Sequence, residues 1–291
     1  MLWPAVSPLV LTGNEHAASG LHNLATEGSP WLIQKDLSRH AGSLPCDEVA
    51  HCYQLQSGAV VFSDLSLQKV DTYSAAYFNT FDRLFPVLDV DHFMDKVVAR
   101  LLTQDYREDD PEGVLALFVF ALGHLANDGV LRHPTRTVSE GYIEFRGDTI
   151  GRPSGLTLFN EARRRLGLIA TLCCLENAQI LLLEATSFEA CARHLDFWSS
   201  VSAACTSCIF LVQSKVIDWS SQYGDLVKRA FWICLLHERT FNLEFGVAIT
   251  RIEAMADSIP SPHFPKPGSG TISAISVQIQ CTGLRNPSVN W

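Results

Sequence analysis

The sequence predicts an all-α protein: a single multi-helix domain over 67–250, an irregular lead-in over 1–66 and an extended, Pro/Gly-rich tail over 251–291. Three observations carry this. From Leu67 onward apolar residues recur at helical spacing. The runs are separated by residues that start or stop helices. Hydrophobic residues make up 47% of 291 positions and charged ones 18%, which is enough apolar material for a substantial core and excludes disorder over most of the chain.

Residues 1–66 mix Gly, Ser, His and Pro without a sustained period. Helices are predicted near 68–83, 91–104, 111–128, 157–171, 173–186, 188–213 and 222–245. Pro86 closes the first, because proline excludes the helical conformation of the residue before it. Asp110 followed by Pro111 is an N-cap with proline at the first helical position. The third helix holds the longest apolar run, Val114 to Ala126, broken by Gly123 and His124; it is too short to cross a bilayer and suits a buried helix. Two prolines and four glycines between His133 and Gly155 mark a long loop, with Tyr142–Phe145 as one extended piece.

Glu189–Leu211 is apolar on more than one side and is expected to be central, with Ser202, Ala203, Ala204 and Ser207 allowing close approach of a neighbour. Asp218–Gly224 is a polar turn. In the last helix Val227, Phe231, Cys234, Phe241 and Phe245 form one stripe. Glu238 falls in that stripe and requires a partner, since a carboxylate buried alone costs several kcal/mol.

The net charge is −9, from 22 basic and 31 acidic residues, which opposes wrapping of nucleic acid by charge. Nine cysteines (46, 52, 173, 174, 191, 205, 208, 234 and 281), mostly in apolar stretches, read as reduced thiols of a cytosolic or nuclear protein. The apolar start carries no Lys or Arg and has Pro4 and Pro8, unlike a signal peptide.

No motif assembles a catalytic or metal site. Cys205 and Cys208 lie mid-helix rather than at a helix start, and lack two further ligands, so they read as small core hydrophobes. His237-Glu238 begins like a zinc-protease helix, but Phe241 stands where the second histidine belongs. Asp109-Asp110-Pro111-Glu112-Gly113 approximates the magnesium motif of terpene-cyclase-type enzymes, with Gly113 in place of the final acid; Asp218, Ser221 and Asp225 approximate a second one. Cys191 and His194 share a helix face that Asp196 does not. Arg163-Arg164-Arg165 and Lys228-Arg229 read as solvated faces or ion-pair donors. Gly147, Gly151 and Gly155 lack the Lys-Ser/Thr ending of a phosphate loop. Trp198, Phe210, Trp219 and Phe231 are candidates to line a pocket, with core filler as the plainer reading. No residue is assigned a catalytic, metal-binding or DNA-binding role, and cofactor-binding residues stay unknown.

Five stretches in series carry a resemblance. They are Tyr77-Phe78, Phe81 and Leu84–Leu88 with Phe93; Gly155-Leu156 and Phe159–Arg163, with Leu175-Glu176, Gln179 and Leu181–Leu183; Ala192–Trp198; Ile217–Ser221; and Lys228–Cys234 with Glu238. Over roughly 60–270 the chain resembles the fungal-specific transcription factor domain, the middle homology region of binuclear zinc cluster regulators. The resemblance implies transcription regulation without catalysis, a nuclear location (otherwise cytoplasmic), and no membrane. It implies partners in the transcription machinery or a homo- or heterodimer partner, and a small-molecule effector. The family's zinc cluster needs six closely spaced cysteines, whereas Cys46 and Cys52 are the ones that precede Cys173 here. The expectation is therefore no cofactor in this chain and no direct nucleic-acid binding by it. The alternative class is an all-α enzyme of terpene-cyclase type with degenerate metal motifs.

Overall fold

Helix α3 (Pro111–Asn127) is the first of two helices buried on all sides. Asp110 caps it by accepting the Glu112 N–H, and Pro111 stands in its first turn, where a missing N–H costs nothing. The computed structural model describes residue 62 and residues 65–103, 106–128, 136–137, 143–144, 154–191, 193–245 and 250–262. The readings at Cys46, Cys52, Cys281, Gly147 and Gly151 lie outside these residues, as does most of the lead-in and the tail beyond 262.

Around α3 stand α1 (Leu67–Thr80), α2 (Val90–His92 continuing through a π-helical stretch Phe93–Val98 into Ala99–Thr103), α4 (Leu156–Ile169) and α5 (Leu175–Ala190). Helix α5 is the second central element and also packs against α6 (His194–Ser214) and α7 (Gln222–Phe245). A 3-10 turn, Glu253–Ser258, follows. Apart from a two-residue antiparallel pair, Arg136–Thr137 with Ile143–Glu144, the regular structure of the described residues is helical, so the fold is all-α.

Gly123, which interrupts the apolar run, is where α1 crosses α3. A Cβ there would lie 1.9 Å from the Tyr73 carbonyl oxygen, so only glycine permits this approach. Beside it His124 stacks on Tyr73 at 4.7 Å. The π-helical stretch buries Phe93, Val97 and Val98. Phe93 thereby meets Phe78 at 5.5 Å and Phe120 at 6.3 Å, both edge to face. On the other side Phe159 bridges Phe118 (5.7 Å) and Phe188 (5.4 Å).

Two expectations are corrected. The boundary expected near 187, between helices over 173–186 and 188–213, lies later: α5 runs to Ala190 and α6 begins at His194. The Cys191 N–H is held by the Ser187 and Phe188 carbonyls and the Arg193 N–H by the Phe188 carbonyl, a tight helix-ending turn made without glycine or proline. The central helices are α3 and α5. Helix α6 buries Val201, Ala204, Cys205, Cys208 and Leu211 but turns Ala203, Thr206 and Phe210 to solvent. By length and composition α6 is apolar enough to cross a bilayer; here it is a core helix with one wet face.

Two segments beyond the regular helices join the core. Phe62 is buried edge-on against Tyr106 with the Arg165 guanidinium over its ring. Ile252 and Ile259 are buried, and the Trp232 indole N–H donates to the Pro260 carbonyl at 2.9 Å. The stretch 250–262, where the sequence pattern fades into prolines, therefore folds back on α7.

Candidate functional site

The Arg-rich stretch of α4 is absorbed by structure. Arg163 donates to Glu184 (2.8 Å), which also accepts from the Ser200 hydroxyl. Arg164 pairs with Glu161 and Glu108, and the buried Arg165 donates to the buried Glu161 at 2.7 Å. In α7 Lys228 and Arg229 both pair with Asp225. These arginines and this lysine are ion-pair donors, as one of the two sequence readings has it.

The acidic motifs are likewise engaged locally. Asp110 binds Arg100 (2.7 Å), Asp109 binds Arg107 (2.8 Å), and Asp218 accepts from the backbone and hydroxyl of Ser220 within its turn. Hydrogen bonds from Ser220 hold the Asp218 carboxyl below its usual range. Among the described residues no three His, Cys, Asp or Glu side chains are grouped to hold a metal ion.

Cys205 and Cys208 sit in the α6–α7 interface. Cys205 approaches the Cys234 carbonyl at 3.7 Å, and the Cys208 and Cys234 sulfurs lie 3.8 Å apart, all three residues fully buried. Burial pushes the Cys234 thiol well above its ordinary value. Cys191 ends α5 and His194 opens α6, so they do not share a helix face, and Asp196 pairs with Arg193. Burial pushes Cys191 up to about 11.

The aromatic candidates do not line one chamber. Trp198 stacks on Phe241 at 4.7 Å, Phe231 is core against Trp232, and Phe210 is 58% exposed. The partly enclosed cleft lies elsewhere, between the end of α1, the turn after it, α5 and α7. Its walls are Tyr77, Phe81, Phe85, Val87, Leu182, Leu183, Thr186, Ile233 and His237. It measures about 240 Å³ with its mouth, and its interior, about 10 Å³, has room for a single water.

Local sequence builds this cleft. Helix α1 ends in a tight turn in which the Asp82 and Phe81 N–H groups both bond the Tyr77 carbonyl, and Phe85 N–H returns to Phe81. Pro86 then directs the chain away from the helix, and the Gln179 side chain donates to the Val87 carbonyl at 2.7 Å. Phe85 is carried on this turn, partly exposed, 4.4 Å from the His237 ring; Phe197 flanks that ring at 5.3 Å.

His237 in the cleft wall and Asp82, which is bonded to the lining Tyr77, have opposite displacements. Burial holds His237 down at about 4, so its imidazole is neutral at pH 7. Burial lifts Asp82 to about 7, against the backbone N–H of Leu88, the charge of Arg229 and the Tyr77 hydroxyl, which all favour its carboxylate. The Tyr77 hydroxyl reaches Asp82 at 3.5 Å, and burial raises Tyr77 well above its ordinary value.

His237 is 7% exposed. It makes no hydrogen bond to another described residue, and its ring nitrogens are not among the fully enclosed polar atoms that lack a partner. Its only electrical perturbation is desolvation. Its neighbour Glu238 has the partner that the sequence requires, the Thr250 N–H on Oε1; Oε2 has none among the described residues.

The sequence motifs miss His237 because they test it only as half of a zinc pair. A second stripe, Ala230-Ile233-His237, carries the signal: the spacing of three and four puts an imidazole on a buried face. In comparisons with known proteins, no family model, no curated protein and no solved structure matches this chain.

Proposed function

We propose that the chain is a transcription-regulatory domain of the fungal-specific transcription factor type, acting in the nucleus through protein contacts and a small effector. One observation supports this most. Seven of the nine residues around the cleft come from the stretches that resemble the family's signatures. Tyr77, Phe81, Phe85 and Val87 belong to the first stretch, Leu182 and Leu183 to the second, and Ile233 to the last. Gln179, also in a signature stretch, bonds Val87 across 92 residues of sequence. Segments remote in the chain that resemble three of one family's signatures thus form a common wall.

On this reading the domain is touched by partners in the transcription machinery or by a dimer partner, and DNA is read by another module. The test is tethering. The chain is fused to an unrelated DNA-binding module and its effect on a reporter is measured beside a nuclear, non-regulatory fusion. A reporter change of either sign is expected; a nuclear fusion without effect overturns the reading. A steeply salt-dependent shift of duplex DNA by the purified chain would overturn the claim that it does not bind DNA itself.

A further inference from the structure

We propose that the wet face of α6 docks a second copy of this chain, the two α6 helices packing antiparallel about a two-fold axis between Ala203 and Thr206. This names the dimer partner of the reading above and the surface it uses, and to that extent it rests on that reading.

Three observations select this face and this occupant. The first is a period. Ser199, Ala203, Thr206, Phe210 and Gln213 are all exposed and follow one another at spacings of four, three, four and three. That is the seam of a helix that packs on another helix, turned here to solvent. The wet side of a surface helix ordinarily carries acids and bases. Between Asp196 and Lys215 α6 carries none.

The second is shape. Phe210 is 58% exposed and forms a knob on the seam. About three turns before it, Leu195, Trp198, Ser199 and Ser202 form the four-cornered recess that a knob enters, with two large apolar corners and two small ones. Trp198 is braced there by its stacking on Phe241. Knob and recess lie about 17 Å apart along one helix, on either side of Ala203 and Thr206. A two-fold axis between those two residues therefore seats both knobs at once, as a self-complementary interface requires. Ala203 and Thr206 are small enough for the helix axes to approach to about 8–10 Å at the crossing.

The third is charge. The chain carries a net charge of −9, so contact between copies elsewhere tends to bring acids together, whereas this seam brings none. At its two ends stand Asp196, in the first turn and paired with Arg193, and the exposed Lys215 just past the last turn. Antiparallel packing sets Lys215 near the start of the second helix, where Asp196 stands. Parallel packing would set Lys215 against Lys215 and Phe210 against Phe210, leaving both recesses empty.

The experiment is sedimentation of the full chain over a rising concentration series, beside Phe210→Ser, Ala203→Arg and, as a control, Leu168→Ser, a comparably exposed position on α4. The parent is expected to pass from monomer to dimer with a dissociation constant on the order of 10 µM, because one helix face about 31 Å long falls below a standard interface. Phe210→Ser removes two knobs per dimer, and Ala203→Arg sets two guanidinium groups against each other near the axis. Each is expected to weaken the dimer by about a hundredfold or more. Leu168→Ser is expected to leave it unchanged.

All three replaced side chains are exposed, so thermal midpoints at low concentration should stay near that of the parent. Should one of the first two variants not fold, the other decides. A parent still monomeric at about twenty times the expected constant overturns the proposal, whether another protein or the chain's own tail takes the seam. So does a dimer that survives Phe210→Ser or Ala203→Arg, or one that Leu168→Ser breaks. The tethered reporter can respond through a monomer, and sedimentation needs no reporter, so either reading can fail alone.

Discussion

The side-chain amide of Gln179 donates to the backbone carbonyl of Val87 at 2.7 Å, fully inside the protein. One hydrogen bond thereby fixes the turn after α1 against the central helix α5. Replacing Gln179 with Leu leaves that carbonyl buried without its donor. The expected loss is about 1–3 kcal/mol of stability, seen as a lower urea midpoint with an unchanged slope. A midpoint equal to that of the unaltered chain would mean that the turn is held by its own bonds.

Gly123→Ala tests the crossing of α1 and α3. Its Cβ would enter the space of the Tyr73 carbonyl, and backbone cannot move aside as a flexible side chain can. Overpacking of this kind costs about 1–3 kcal/mol and here should reach the upper end or beyond. Gly167→Ala, on α4 with nothing near its added methyl, is the control; it should be neutral or slightly stabilising in the same thermal melt.

Acid should act on the cleft through His237. Its folded value, about 4, lies below its ordinary 6.5, so the unfolded chain binds the proton first. The stabilisation is whole above pH 6.5 and is lost as pH falls toward 4, by about 3 kcal/mol in total. Urea titrations of the parent and His237→Leu between pH 4 and 8 should show the parent losing stability relative to the variant on the acid side. A pH-independent difference would remove His237 as the cause.

Asp82 runs the other way. Its folded value, about 7, lies above the ordinary carboxylate range, so the folded chain holds its proton longer. That contribution is present in acid and lost as pH rises through 7. Asp82→Asn should therefore gain on the parent between pH 5 and 8, and a constant gap across that range would count against it.

Thiol reactivity should separate by burial. Cys173 is exposed, whereas Cys205, Cys208 and Cys234 are enclosed, and Cys234 resists ionisation. Alkylation of the native chain read by peptide mass spectrometry should mark Cys173 early and those three only after denaturant is added. Early labelling of Cys234 would show that α6 and α7 part readily.

Much of the helical plan is legible in local chemistry. Asp110-Pro111 places the start of α3, and the turn at Asp218 places α7 at the expected 222–245. A break between α5 and α6 is expected near 187, but its true place is not legible, because Cys191 to Arg193 contains no helix-stopping residue and the apolar pattern runs through it. Nor does composition tell which apolar helix is central. Phe210 raises the apparent burial of α6 yet faces water, while α3 and α5 are covered by neighbours that only the tertiary arrangement supplies. The π-helical stretch that aims Phe93 between Phe78 and Phe120 leaves no mark in the spacing. For the cleft, the sequence marks the aromatic and leucine walls through the resemblance, but His237 is discarded with the zinc motif it fails to complete.

The indole of Trp232 fastened to Pro260 has a practical corollary for anyone dissecting this chain. A fragment cut at the end of α7 would strip Ile252 and Ile259 from their seats and lay a bulky ring open to solvent. Such a piece would tend to stick to itself and be mistaken for a specific dimer. Boundaries drawn after Pro262 keep that ring covered and give oligomerisation assays a clean baseline.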